Sequence, residues 1–154
     1  MKRGFVMLVA EDDGNDLALF RLMVAEAAKK TGLTIYLQAT RDGEETIEYL
    51  SGAGKFADRY SHPFPDIIVL DLKMPRLSGL EVLKWIKNHH EYMIIPKIML
   101  SGSGEESDIY KAYRLCVNTY FQKPNSLEEY RELIHHLISY WAHTKRSTVK
   151  HSAN

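Results

Sequence analysis

The chain has 154 residues, 45% hydrophobic and 26% charged, the make-up of one ordinary globular domain with a substantial core. Twenty basic residues against twenty acidic ones exclude the basic surplus of a direct DNA binder, and no apolar run approaches the ~20 residues of a membrane span. A single cysteine, Cys116, excludes an internal disulfide; together with an N-terminus that lacks a signal-peptide pattern it predicts a cytoplasmic protein.

Residues 5–10 (FVMLVA) are a short apolar run that ends in acid: Glu11, Asp12 and Asp13. Gly14 and Asn15 turn the chain, and Asn15 or Asp16 is predicted to cap a helix reaching about Lys30. Its apolar side is Leu17, Phe20, Leu22, Val24, Ala27 and Ala28. Residues 33–39 (LTIYLQA) alternate enough for a second strand. Past the Asp42-Gly43 turn, residues 44–50 begin a helix with Ile47 and Leu50 inward. Residues 51–65 then break the rhythm with Gly52, Gly54, Pro63 and Pro65. That is longer than the usual connection, and Phe56, Tyr60 and Phe64 predict a packed excursion.

Residues 66–75 read DIIVLDLKMP. Ile67, Ile68, Val69 and Leu70 form an unbroken apolar run, the pattern of a buried parallel strand, which stops at Asp71. Ser78 is predicted to cap a helix carrying Leu80, Val82, Leu83 and Ile86 to about His90. Residues 94–100 (IIPKIML) make a fourth strand entering Ser101-Gly102-Ser103-Gly104. Residues 105–115 make a helix whose opening glutamates suit its macrodipole. Residues 118–121 make a short fifth strand running into Lys123-Pro124. Ser126 with Glu129 predicts a capping box for a last helix to about His143, with Leu127, Tyr130, Leu133, Ile134, Leu137, Ile138 and Trp141 at helical spacing. Residues 144–154 are polar, carry Lys145, Arg146 and Lys150 without an acid, and are expected to be a disordered basic tail.

Five strands alternating with five helices predict an α/β fold, a parallel sheet covered on both faces. Right-handed crossovers then make it doubly wound, with strand order 2-1-3-4-5. The ends of strands 1, 3, 4 and 5 meet at one edge, where they deliver Glu11, Asp12 and Asp13, then Asp71, then Ser101, then Lys123. Converging carboxylates repel one another and raise at least one pKa, and a hard divalent cation relieves this. Mg²⁺ suits one or two carboxylates completed by waters and phosphate oxygens. A carboxylate nucleophile, a metal, a lysine and a hydroxyl together form a phosphoryl-transfer site.

Other residues take plainer roles. Asp13 reads as turn chemistry and not as a ligand. His89-His90 and His135-His136 are adjacent on helices, where neighbours do not face each other, so neither pair is a metal site. Cys116 is expected to be a small packed residue at a helix end.

Four motifs in order, VAEDD, DLKMPRLSG, SGS and YFQKP, resemble the receiver domain of bacterial two-component response regulators over residues 4–142. The resemblance implies a flavodoxin-like receiver domain over residues 1–143. Asp71 would be the phosphoacceptor, Glu11 and Asp12 the acidic pair holding Mg²⁺, and the backbone carbonyl of Lys73 the remaining protein ligand. Ser101 would hydrogen-bond the phosphoryl group and Lys123 would pair with it. Tyr120 would turn inward when Ser101 is drawn to the phosphate, and the Lys123-Pro124 bond would be cis.

The long 51–65 segment, the Glu-Asp opening and the Tyr140-Trp141 ending are similar to stand-alone regulators paired with bacterial phytochromes. Two departures stand out. Lys73 occupies a position where many receivers have asparagine, and Gly14 replaces a frequent proline.

The expected function is a single-domain regulator that takes a phosphoryl group from a sensor histidine kinase, a bacterial phytochrome on the narrower resemblance. It would signal through the fourth helix, fifth strand and fifth helix to a downstream protein target or phosphotransfer protein. Tyr113, Tyr120, Tyr130 and Tyr140 are expected to favour a homodimer there. The chain is expected to be a phosphoacceptor and not an enzyme. A phosphatase with an aspartyl nucleophile would need an acid where Lys73 stands. A degenerate receiver acting as a scaffold would lack an acid or the lysine.

Overall fold

In the computed structural model, which describes residues 4–145, the apolar runs become five parallel strands: β1 (Phe5–Ala10), β2 (Ile35–Thr40), β3 (Ile67–Leu70), β4 (Lys97–Ser101) and β5 (Thr119–Gln122). They alternate with α1 (Gly14–Thr31), α2 (Gly43–Ser51), α3 (Gly79–Lys87), α4 (Glu106–Arg114) and α5 (Leu127–Ala142). The sheet order is β2-β1-β3-β4-β5, as predicted, with every adjacent pair parallel.

Side chains alternate across a strand, so each central strand feeds two cores. Phe5, Met7, Val9, Ile67, Val69, Ile98 and Leu100 point toward α1 and α5, where they meet Phe20, Met23, Val24, Ala27, Ile134 and Ile138. Leu8, Ala10, Ile68, Leu70 and Met99 point the other way, onto Tyr49, Leu50, Val82, Leu83, Ile86 and Ala112. All residues of β1, β3 and β4 are buried, which is why these runs read as continuous and not alternating.

Several local expectations are corrected. The cap of α1 is Asp13, whose carboxylate accepts from the N–H groups of Asn15 and Asp16. Asp13 leaves β1 in an extended conformation, and that puts it, not Asn15 or Asp16, at the cap. Met23 is buried where Leu22 was expected, and Leu22 is 54% exposed because it lies off the 20-24-27 stripe. In α2 the buried residues are Gly43, Thr46, Tyr49 and Leu50, with Ile47 only half-buried. The complete capping box belongs to α3, between Ser78 and Glu81. At α5 only Ser126 contributes, accepting from the Glu129 N–H at 3.3 Å, and Leu127 is exposed.

Cys116 is exposed and adopts a left-handed conformation (φ 68°) just past α4, so it is not packed. No peptide bond among the described residues is cis, so Lys123-Pro124 is trans, the form X–Pro favours by about 0.5–1 kcal/mol. The 51–65 excursion packs through Phe56 and Phe64 but leaves Tyr60 97% exposed. It is tied down by the Tyr49 hydroxyl, which donates to the Pro63 carbonyl at 2.7 Å, and by Arg59, which donates to the carbonyls of Leu50 and His62. The predicted basic tail falls largely on residues 146–154, outside the described residues.

Candidate functional site at the carboxyl edge of the sheet

The strand order reverses at β1, with β2 on one side and β3 on the other, and the crevice beyond the carboxyl ends there is where such sheets bind ligands. Backbone bonds fix what arrives. The Glu11 N–H donates to the Thr40 carbonyl (3.0 Å), that of Asp71 to Ala10 (3.1 Å) and that of Lys123 to Ser101 (2.7 Å). Glu11, Asp71 and Lys123 are thus each the first residue past a strand, Asp12 follows Glu11, and Ser101 is the last residue within β4.

Glu11, Asp12 and Asp71 each offer a carboxylate oxygen within 4.8 Å of the others, a group that could hold a metal ion. Glu11 is buried, Asp71 half-buried and Asp12 exposed, so the cluster opens to solvent on one side. The donors are all hard oxygens, which suits a hard divalent cation and not a thiophilic one. Below them lies a small cleft floored by Val9, Phe20, Val69, Leu100 and Tyr130. That apolar floor has an electrostatic cost. Burial raises the Glu11 carboxyl above its ordinary value, and the nearby charge of Asp71 adds to the effect. Burial likewise raises Asp71, although the ammonium of Lys123 opposes it.

Lys123 Nζ donates to Glu11 Oε2 at 2.9 Å and lies 3.7 Å from Asp71 Oδ2 and 3.6 Å from Asp16 Oδ2. Burial works against its charge, but the hydrogen bond to Glu11 and the charge of Asp71 hold its pKa above the ordinary lysine value. Tyr130, in the cleft below, is pushed up to about 12 by burial. One Asp71 oxygen, Oδ1, accepts from the Leu72 N–H at 2.7 Å, which aims the other toward Lys123. Lys73 is exposed in the loop that follows. That loop is held by a backbone fit: the Gly79 N–H donates to the Leu72 carbonyl at 2.8 Å, and a Cβ on Gly79 would run into the Asp71 carbonyl.

Ser101 is buried, and its Oγ accepts from the Ser103 N–H at 3.2 Å. The Ser103 carbonyl in turn receives the Tyr120 hydroxyl at 2.8 Å. The Tyr120 N–H donates to the Tyr113 hydroxyl at 3.2 Å. A short chain of hydrogen bonds therefore links the predicted phosphoryl-binding hydroxyl to the aromatic on β5 and on to α4.

Of the residues predicted from the sequence, Glu11, Asp12, Asp71, Ser101 and Lys123 are brought to this edge, Tyr120 joins it through Ser103, and Lys73 lies in the loop beside it. Tyr130, expected on an interface, is buried instead in the α1–α5 core. Asp16 was missed as a member of the site, although its place in the first turn of α1, just past the end of β1, was a usable signal.

The family model for the response regulator receiver domain matches residues 7–135. The chain belongs to the response regulator receiver family. Among its relatives is the probable methanogenesis regulatory protein FilR2 of Methanothrix harundinacea, 30% identical over 93% of this chain and 87% of that protein. Response regulator Rcp1 of Synechocystis is 32% identical over 90% of each chain, and its Mn²⁺-bound structure superposes with a TM-score of 0.80 over 92% of this chain and 96% of that one. The phosphorylated cyanobacterial phytochrome response regulator RcpA gives a TM-score of 0.82 at 31% identity, covering 93% of this receiver and 97% of RcpA. No helix among the described residues is long and apolar enough to cross a membrane.

Proposed function

We propose that this receiver accepts a phosphoryl group on Asp71 from a sensor histidine kinase in a Mg²⁺-dependent reaction. The observation that carries the reading is the joint geometry of Glu11, Asp12 and Asp71 with Lys123 Nζ only 3.7 Å from the acceptor carboxylate. An Asp71 oxygen attacks the phosphorus of a phosphohistidine; the P–N bond breaks with its electron pair going to the ring nitrogen, and a P–O bond to Asp71 forms. Glu11, Asp12, Asp71 and the carbonyl of Lys73 would hold Mg²⁺, which when bound neutralises charge on the transferring oxygens. Lys123 pairs with one phosphoryl oxygen and Ser101 donates its hydroxyl to another. Turning Ser101 toward the phosphoryl group breaks its bond with Ser103, whose carbonyl holds Tyr120. A local charge event thereby reaches the α4–β5–α5 surface.

Each molecule takes up one phosphoryl group, so the protein is a phosphoacceptor and not a turnover enzyme. Its likeness to Rcp1 and RcpA supports a bacterial phytochrome as the kinase and the cytoplasm as the place of action. Tyr110, Tyr113, Tyr140 and Leu127 are exposed on α4 and α5, which supports output by contact with a downstream protein, a phosphotransfer protein or a second copy. A monomeric mass both with and without beryllofluoride would remove the homodimer from that set.

The test of the central claim is intact mass after incubation with a small phospho-donor and Mg²⁺. One phosphoryl mass is expected on the wild type, with none on Asp71→Ala and none in chelator. Incorporation that survives Asp71→Ala would overturn the assignment.

A further inference from the structure

Lys123 Nζ has three carboxylate partners, and they are not equivalent. Two of them, Glu11 at 2.9 Å and Asp71 at 3.7 Å, belong to the acidic cluster suited to a metal ion. The third, Asp16 at 3.6 Å, does not. When Glu11 and Asp71 give their charge to a divalent cation, the ammonium loses both and faces a second positive centre. Among the described residues Asp16 is then the one ion-pair partner left to it.

Asp16 is placed for this role. Asp13, not Asp16, is the cap of α1, and its Oδ1 takes the Asp16 backbone N–H at 3.0 Å. The Asp16 carboxylate is therefore not engaged in capping, and it is 54% exposed, so it can follow the ammonium without further desolvation.

We propose that Asp16 is a positioning residue: it receives the Lys123 ammonium when Glu11 and Asp71 turn to a metal ion, and yields it when Asp71 carries a phosphoryl group. The inference rests on the phosphoacceptor function proposed above. Without Asp16, drawing Lys123 off Glu11 leaves the ammonium unpaired, so metal binding weakens. Once a phosphoryl group is present, Asp16 competes with it for the same ammonium, so losing Asp16 strengthens the phosphorylated arrangement.

The plainer role is a first-turn acid that favours the helix macrodipole. That role predicts a small change in thermal midpoint and nothing that depends on Lys123. Through-space attraction of Mg²⁺ by one more carboxylate is the other rival, and it too is indifferent to Lys123.

The deciding experiment is Mg²⁺ calorimetry on the full chain in a double-mutant cycle. Asp16→Asn is expected to weaken Mg²⁺ binding roughly threefold in the wild-type background, the scale of one partly exposed ion pair. In the Lys123→Met background the same substitution is expected to change nothing, and Asp16→Glu is expected to restore wild-type affinity. Beryllofluoride binding at saturating Mg²⁺ is expected to tighten in Asp16→Asn, again only when Lys123 is present. Equal weakening in both backgrounds, or none in either, overturns the inference while leaving the acceptor site intact. Failure of the wild type to bind Mg²⁺ at all overturns the function on which it rests.

Discussion

The two edges of the sheet each draw one lysine out of water, and the two lysines are shifted in opposite directions. At the amino edge Lys97 opens β4 with 2% of its surface exposed, and its Nζ donates to the carbonyls of Met93 (3.1 Å) and Ile95 (3.0 Å). At the carboxyl edge Lys123 follows β5 and faces three carboxylates. Carbonyl dipoles satisfy the donors of an ammonium but bring no opposing charge, so burial lowers the pKa of Lys97. Carboxylates bring that charge, so Lys123, half-buried, is held above the ordinary lysine value. Burial alone does not mark a functional lysine. The charge of its partners does.

Substituting each lysine tests this contrast most strongly through chemistry. Lys123→Met is expected to slow phosphoryl incorporation on the order of 100-fold, the scale of losing one positioned group that stabilises developing charge. Lys97→Met is expected to leave the rate unchanged. A time course of intact mass with phospho-donor and Mg²⁺ measures both, and equal losses would end the distinction.

Stability separates them next. Without Lys123, Glu11 and Asp71 face each other unpaired, and the metal-free protein is expected to lose about 2 kcal/mol in urea unfolding, recovered on adding Mg²⁺. Lys97→Met forfeits two hydrogen bonds but relieves a buried charge. Its net loss is expected to stay within about 1 kcal/mol, with no response to Mg²⁺.

The pH dependences are smaller and carry opposite signs. The Asp71 carboxyl is raised in the folded protein, so the stability it contributes is fully present below the ordinary carboxylate range and is lost as pH rises through its folded value. Metal-free Asp71→Asn should therefore gain on the wild type as pH climbs out of that range. Lys97 is lowered, so the folded state sheds its proton first, and wild type should gain on Lys97→Met as pH rises toward the ordinary lysine value. Parallel curves of urea midpoint against pH would show that neither group is perturbed.

The carboxyl edge was legible in the sequence, because a continuous apolar run that stops at a charged residue marks both a buried strand and its exit. Asp71 and Glu11 announce themselves in that way, while Ser101 and Lys123 are marked by the hydroxyl that ends β4 and by the Lys-Pro step after β5. The amino edge was not. Lys97 sits inside a run that reads as apolar, and only the turn of residues 93–96 back over it supplies the carbonyls it needs. The cap of α1 was misread for a related reason. Three polar residues close together, Asp13, Asn15 and Asp16 around Gly14, are all competent caps, and the direction in which β1 delivers the chain decides among them. Tyr130 was read twice, as one of the apolar positions of the last helix and as an interface tyrosine, and its helical phase with Ile134, Leu137 and Ile138 bears out only the first.

The contact of Gly79 with the Asp71 carbonyl bears on how freely this protein can vary. The Asp71 backbone is held by a fit of backbone against backbone, which tolerates no side chain at position 79. Two residues past the acceptor, Lys73 lies open to solvent with room for many side chains. Saturation of the two codons should return glycine alone at 79 and a broad spectrum at 73. On the function proposed above, the landing place of a phosphoryl group would thus be locked while the side chain beside it stays open to adjustment, so the duration of a signal could evolve without touching the address to which it is delivered.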